Sequence, residues 1–360
     1  MLAFVAWTPL HIINILNTKF AFYYEKEADL YIYGEFNGAE QIFKKIQEET
    51  IFRNVYIVYP EDMGGGFVSK FNVLINHNRM LKINDPFEYD IIFTQGGNYF
   101  LKILFGKSKK LNSKLQLKYI EDGLVTYSDN DLLNTSVKRQ KFLNMINPYS
   151  MFSSPIQDYY VYDPESTKMY TDKDKMVYRL PLIDESNIIY SVLKRIFELE
   201  NKKIVLSDKV IFLDQPLHQD GYIINEEGII EILMNNTTNK ELMVKLHPRT
   251  EMKKYNGKMT ALNTTLPWEL CFMKYDFSNS IIVSTVSTAS FTPNMMFGID
   301  NEIVLLADLL INNEKITNGN LKVINKLKEV RSFVKKYRKM GYTNIVSPKS
   351  EQELHDLLKH

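Results

Sequence analysis

A single cysteine, Cys271, in 360 residues leaves no internal disulfide, which fits a reducing compartment better than a secreted, cross-linked framework. Set between Leu270 and Phe272 without a helix start or basic neighbour to activate it, it reads as buried packing rather than a catalytic thiol. An excess of one charge sign is missing as well: 44 Lys and Arg offset 43 Asp and Glu, for a formal net charge of +1. A summed field so close to neutral gives no support for a nucleic-acid partner, which needs a clustered basic face. Any anionic ligand must therefore be held locally. No segment approaches the ~20 apolar residues of a membrane-spanning helix. The opening run Met1 to Trp7 lacks a basic n-region and stops at Thr8-Pro9, so it reads as a first strand and not a signal peptide. The expectation is a cytoplasmic protein. Its Arg331 to Lys339 segment, with Lys335, Lys336 and Arg338, is either a peripheral contact with the inner membrane face or a solvated helix face. Glycine-rich phosphate loops are also lacking, since neither Gly64-Gly65-Gly66 nor Gly96-Gly97 matches a Rossmann fingerprint or a P-loop. Both are read as acceptor-side loops.

What is present is the balance of an ordinary globular chain, 45% hydrophobic and 24% charged, long enough for two α/β domains. Short β-rich runs alternate with longer amphipathic ones, the pattern of parallel sheets covered by helices. In the first half the strand expectations are Leu2 to Trp7, Asp29 to Tyr33, Asn54 to Tyr59, Tyr89 to Thr94 and Leu115 to Ile120. Helices are expected over His11 to Tyr24, Ala39 to Glu49, Val68 to Leu81 and Tyr99 to Phe105. Tyr149 to Asp163 has weak periodicity, and Lys173 to Leu180 precedes a helix-like Ile188 to Leu199. The charged Glu200 to Lys203 places a boundary near residue 200, separating residues 1–200 from 201–360 as two Rossmann-like domains. Strands are then expected at Val210 to Leu213, Leu242 to Leu246, Ile281 to Val283 and Ile303 to Leu306. The matching helices are Gly228 to Met234, Trp268 to Met273, Asn320 to Lys339 and Glu351 to Lys359.

Ligands of open α/β sheets bind where strands end, so polar residues following strands carry the candidate chemistry. Glu121-Asp122-Gly123 puts two carboxylates at such an end, where a general base must be held within reach of a hydroxyl. A plain Asp-Gly turn would account for the same triplet. In Val244-Lys245-Leu246-His247-Pro248-Arg249, Pro248 restricts His247 to extended backbone and fixes the direction of its imidazole. Histidine is suited to donating a proton to a departing phosphate, and Lys245 and Arg249 would favour the anion. The hydroxyl-rich stretch Ser284 to Ser290 offers hydroxyls and backbone N–H groups to a phosphate, or simply caps a helix through Ser287 or Thr288. In Leu266-Pro267-Trp268-Glu269-Leu270 a proline presents Glu269 in the first turn of a helix, where the dipole favours it and where it could bind a ribose diol.

Together these segments resemble bacterial sialyltransferases, which carry an acidic-acidic-Gly motif, then a His-Pro motif, then a Ser/Thr-rich motif. Thr8-Pro9-Leu10-His11 and Leu213-Asp214-Gln215-Pro216-Leu217 look like the same group, especially glycosyltransferase family 52 and the polysialyltransferases of family 38. The resemblance implies an inverting transferase of GT-B architecture, with two Rossmann-like domains facing a central cleft. In it the N-terminal domain takes the acceptor and supplies the general base, and the C-terminal domain binds a CMP-sugar. Glu121 would be the base, with Asp122 as the alternative, and His247 would protonate or hydrogen-bond the phosphate of departing CMP. Ser287 and Thr288 would hold that phosphate and Glu269 the ribose, with Gln215, Pro216, Lys245 and Pro248 lining the CMP-sialic acid site. His11 is kept only as an acceptor-side contact.

No cofactor is implied, and a one-phosphate leaving group needs no metal clamp. The implied acceptor is a galactose-ended capsule or lipooligosaccharide chain, and a homodimer is compatible with the resemblance. Three alternatives stay open: a UDP-hexose donor on the same architecture, a metal-dependent transferase using Asp129-Asn130-Asp131 or Asp172-Lys173-Asp174, and a non-catalytic glycan-assembly protein.

Overall fold

The computed structural model describes residues 1–59, 88–97, 99–123, 125–127, 156–168, 175–200, 202–285, 287–339 and 341–359. The helix expected over Val68 to Leu81, the Gly64-Gly65-Gly66 run and both Asp-X-Asp pairs lie outside these residues. The chain divides into two compact units, Met1–Leu199 and Glu200–His360. Each is an α/β unit built on a parallel sheet, the Rossmann-like composition of the GT-B class.

In the N-terminal unit, strands β1 (Leu2–Ala6), β2 (Ala28–Tyr33), β3 (Asn54–Val58), β4 (Ile91–Thr94), β5 (Gln116–Ile120), β6 (Asp158–Val161) and β7 (Met176–Arg179) form one sheet. Its order is β3-β2-β1-β4-β5-β6-β7, and every pairing is parallel. Between the strands run helices α1 (Pro9–Phe22), α2 (Ala39–Glu48), α3 (Tyr99–Leu111), α4 (Pro164–Lys168) and α5 (Ile188–Ile196), with a 3-10 turn at Val125–Tyr127. Every residue of β1 and β2 is buried, as expected for strands covered on both faces, and this makes them read as unbroken apolar runs. Because chain order reverses between β1 and β4, a crevice opens at their carboxyl ends.

The C-terminal unit repeats the plan with β9 (Lys209–Leu213), β10 (Glu241–Lys245), β11 (Thr260–Ala261), β13 (Ile281–Ser284), β14 (Glu302–Leu305) and β15 (Ile345–Val346). Their order is β11-β10-β9-β13-β14-β15, so the reversal falls between β9 and β13. A separate parallel pair joins β8 (Ile204–Val205) to β12 (Tyr275–Asp276). The helices are α6 (Glu226–Asn236), α7 (Trp268–Lys274), α8 (Thr292–Phe297), α9 (Ala307–Ile311), α10 (Glu314–Thr317), α11 (Leu321–Lys339) and α12 (Glu351–Lys359). No described helix is long and apolar enough to cross a membrane. On α11, Arg331 pairs with Asp308 and Arg338 donates to the Ile345 carbonyl at 2.8 Å, which ties two of its basic residues into the fold.

Differences from the sequence reading have local causes. Helix α1 starts at Pro9, two residues earlier than expected, because the Thr8 hydroxyl caps it by accepting from the His11 N–H at 3.2 Å and proline fits the first turn. Helix α3 continues from Phe105 to Leu111 through a lysine-rich turn in which Lys109 donates to the Leu115 carbonyl at 3.0 Å. Strand β6 emerges from the segment of weak periodicity and is half-buried at Asp158 and Tyr159, and β7, within Lys173 to Leu180, is the edge strand. The two-residue strands β8, β11, β12 and β15 are too short for a period-two signal.

Helix α6 carries Ile229, Ile232, Leu233 and Asn236 on its buried face, at helical spacing. Ile229, Ile232 and Leu233 pack in a core that includes Val210, Phe212, Val244 and Val283 of the sheet. Leu233 is completely buried there. Leu233→Ala is expected to remove about 2–5 kcal/mol from the unfolding free energy of the C-terminal unit, measured by urea denaturation.

Candidate functional site

Glu121 and Asp122 leave the end of β5 in opposite directions. The Glu121 carboxylate turns inward and is 2% exposed. Its Oε2 accepts from the Tyr127 hydroxyl and, at 2.7 Å, from the Tyr162 N–H. Its backbone extends the ladder, donating to the Tyr160 carbonyl at 3.0 Å, while its own carbonyl accepts from the Asn14 amide at 2.9 Å. Burial pushes the Glu121 carboxyl up to about 8, with the two donors acting downward and the charges of Asp163 and Asp122 adding to the rise.

Asp122 points the other way and is 33% exposed at its side chain. Its Oδ1 stands 2.7 Å from His11 Nε2, and its N–H donates to the Thr126 hydroxyl at 3.0 Å. Gly123 follows with φ of 57°, a left-handed conformation that turns the chain sharply behind the aspartate and suits glycine. Helix α1 supplies the opposing wall. His11, Asn14 and Asn17 recur every three residues on its buried side. Asn14 binds Glu121 as above and accepts from the Tyr162 hydroxyl at 3.0 Å; Asn17 donates to that hydroxyl at 3.2 Å and to the Pro181 carbonyl at 2.8 Å. Across the reversal point, Gln95 after β4 donates to the His11 carbonyl at 3.2 Å.

In the C-terminal unit three adjacent strands, β10, β9 and β13, end side by side and bring their trailing residues to one edge. Asp214 follows β9, is buried, and organises this edge. It accepts from the His247 N–H at 3.2 Å, from Lys254 Nζ at 2.9 Å and from the Tyr255 hydroxyl. Burial acts to raise its carboxyl, but Thr250, Tyr255 and Lys254 outweigh it and hold the group below the usual range. The aspartate thus stays charged and pins the His-Pro turn from beneath.

The half-buried His247 ring accepts the Arg249 N–H on Nδ1 at 3.2 Å. A neutral ring held this way carries its proton on Nε2. Burial first, then the Arg249 and Lys245 charges, hold the imidazole below its ordinary range, against the opposing pull of Asp214 and Asp220. Gln215 bridges the reversal between β9 and β13, its Oε1 accepting from the Thr285 hydroxyl at 2.6 Å. Pro216 is buried behind it and Pro248 is exposed. Ser287 accepts from the Ala289 N–H at 3.2 Å, a serine turn ahead of α8. The Thr288 side chain lies outside the description. Lys245 reaches the Leu246 carbonyl at 3.4 Å. Glu269, in the first turn of α7, is buried and accepts from the Thr292 hydroxyl at 3.2 Å, and burial raises its carboxyl. Cys271 is fully buried and its thiol is pushed up to about 12 by burial.

The structure therefore gathers Asp214, Gln215, Lys245, His247 and Ser287 at one edge of the C-terminal sheet, and Glu121 and Asp122 at one edge of the N-terminal sheet. Sequence reasoning missed the tie between His11 and Asp122 and the anchoring part of Asp214. The polar spacing of His11, Asn14 and Asn17 within an otherwise apolar helix was the available signal.

The family model of the alpha-2,8-polysialyltransferases matches residues 67–307, a stretch holding the Glu121-Asp122-Gly123, His247-Pro248 and Ser284 to Ser290 segments. No curated protein matches the chain. Among solved structures it is similar to UGT89C1 of Arabidopsis thaliana complexed with UDP, at 9% identity over 99% of this chain and 98% of that one, with a TM-score of 0.48. The spinosyn forosaminyltransferase SpnP is 10% identical over 100% and 99%, with a TM-score of 0.46. The glycosyltransferase SnogD from Streptomyces nogalater is 9% identical over 95% and 98%, with a TM-score of 0.43.

The inward turn of Glu121 has a pH signature. The folded chain keeps this proton up to about pH 8, whereas an ordinary glutamate releases it near 4.5. Between those values the unfolded chain binds fewer protons, so this group makes stability fall as pH rises and level off above the window. Wild type is expected to lose up to ~1.4 kcal/mol per pH unit relative to Glu121→Gln across that window, in urea titrations at a series of pH values.

Proposed function

The chain belongs to the alpha-2,8-polysialyltransferase family and is a glycosyltransferase, and from that membership we propose that it transfers sialic acid from CMP-sialic acid to a hydroxyl of a glycan acceptor. The observation that carries the reading is the convergence of His247, the Gln215–Thr285 bridge and Ser287 at the ends of three adjacent strands. Such an edge presents hydroxyls, an N–H donor on Nε2 and the Lys245 charge to one phosphate. This is what a nucleoside monophosphate leaving group requires. In this reading the C-terminal unit takes the donor, and Glu269 and Pro216 belong to the wall of its nucleotide pocket.

The N-terminal unit takes the acceptor and the proton. Asp122 is the general base: its carboxylate is the open member of the pair, while Glu121 is enclosed, bonded by two donors and holds its proton more tightly. The acceptor oxygen forms its bond to the anomeric carbon of sialic acid as its proton passes to an Asp122 oxygen. The bond from that carbon to the phosphate oxygen breaks with its electron pair leaving on CMP, and His247 Nε2–H donates a hydrogen bond to the phosphate. Displacement from the opposite side inverts the anomeric centre. Every step is supplied by protein groups, so the reaction proceeds without a metal ion.

The testing experiment is isothermal binding and product release with CMP-sialic acid and with UDP-hexoses in the presence of EDTA. Selective binding of CMP-sialic acid with release of CMP is expected; binding of a UDP-hexose alone would remove the donor assignment. Asp122→Asn is expected to lower kcat by ~10² or more with donor KM little changed, and Glu121→Gln by much less. His247→Ala is also expected to lower kcat, and a donor with a better leaving group to recover part of the loss. Equal losses with both donors would reduce His247 to a binding residue.

A further inference from the structure

We propose that His11 is a positioning residue that fixes the Asp122 carboxylate for proton transfer, a role that rests on the reading of Asp122 as the general base. The imidazole is wholly enclosed, with 0% exposure. Its Nδ1 accepts the Trp7 N–H at 3.3 Å, and the Trp7 indole meets it edge-on with centroids 4.4 Å apart. With Nδ1 engaged as an acceptor, the neutral ring carries its proton on Nε2 and donates it to Asp122 Oδ1 at 2.7 Å. Both ring nitrogens are thus occupied within the protein. A glycan hydroxyl has neither a path to the ring nor a free lone pair on it.

The backbone around His11 is fixed as well. Its N–H is held by the Thr8 cap at 3.2 Å, and its carbonyl takes the Gln95 amide at 3.2 Å. The ring is therefore anchored to the ends of β1 and β4 and reaches across to the end of β5. Asp122 meets it with one oxygen, and among the described residues no partner bonds Oδ2. The arrangement leaves one lone-pair edge for the acceptor proton while the other oxygen sets the plane of the carboxylate. A base oriented in this way loses little freedom on reaching the transition state, and a misplacement of about 1 Å can cost ~10² in rate.

The test uses the full-length chain and compares His11→Leu, His11→Gln, Asp122→Asn and the His11→Leu/Asp122→Asn double variant, each checked for folding by circular dichroism. Rates are read as release of CMP from CMP-sialic acid with a glycan acceptor. His11→Leu is expected to lower kcat about 10- to 100-fold with donor KM within about twofold of wild type, which a general loss of structure would not produce. Glutamine keeps an N–H at similar reach, so His11→Gln should recover most of that kcat. The double variant should be no slower than Asp122→Asn alone, because the two residues act as one unit. A folded His11→Gln as slow as His11→Leu, or slower than wild type by more than about tenfold should the leucine variant not fold, would overturn the positioning role and make the ring itself the base. Wild-type kcat in His11→Leu would overturn it outright. Full activity in Asp122→Asn with loss in His11→Leu would instead remove the base assignment, and the proposal with it.

Discussion

Successive side chains leaving a strand point to opposite sides, and the arrangement of the N-terminal site depends on that constraint at Glu121 and Asp122. Two adjacent carboxylates cannot both face the crevice, so one must be taken inside. The fold takes Glu121, and enclosing it requires donors: the Tyr127 hydroxyl, the Tyr162 N–H and the Asn14 amide on the adjoining carbonyl. Helix α1, packed in the interior, meets one of those demands with Asn14, while His11 beside it bonds Asp122 and Asn17 bonds the Tyr162 hydroxyl and the Pro181 carbonyl. An unpaired buried polar group costs about 1–3 kcal/mol, so each of these residues is committed to a partner. The outward orientation of Asp122 follows from the inward one of Glu121.

The C-terminal unit reaches a similar result from a different residue. Asp214 is itself buried, yet it stays charged because a lysine, a tyrosine and a backbone N–H surround it. Its contribution lies in where it leaves His247: the loop after β10 is tied to the loop after β9, and among the described residues no partner bonds the imidazole Nε2. Parallel pairing makes this possible, since all strands of the sheet end at the same edge and short loops can reach one another there. The Gln215–Thr285 bond closes the third side of that edge across the point of reversal.

In both units, then, a buried carboxylate is bonded within the fold and orders the residues around it. Glu121 remains protonated over the neutral range and Asp214 remains ionised, and the contrast comes from their partners. Glu121 is bonded by neutral groups and neighboured by two aspartates, while Asp214 has an ammonium against it. The same residue class thus serves as a neutral spacer in one unit and as a charged anchor in the other.

Strand alternation, the parallel α/β class and the three motif segments were all legible in the sequence, because each depends on residues close together in the chain. Strands β6 and β7 were not, since their pattern of exposure is set by where they lie in the sheet, β7 at its edge and β6 next to it. The sequence alone also placed Glu121-Asp122 at a strand end and His247 ahead of a fixing proline. Which carboxylate would face outward was beyond it: the partners that decide the matter, Tyr162 and His11, lie 41 and 111 residues away from Glu121 and Asp122 respectively. Local sequence sets backbone direction and periodicity. Burial and charge state belong to contacts between distant segments, and only the tertiary structure decided those.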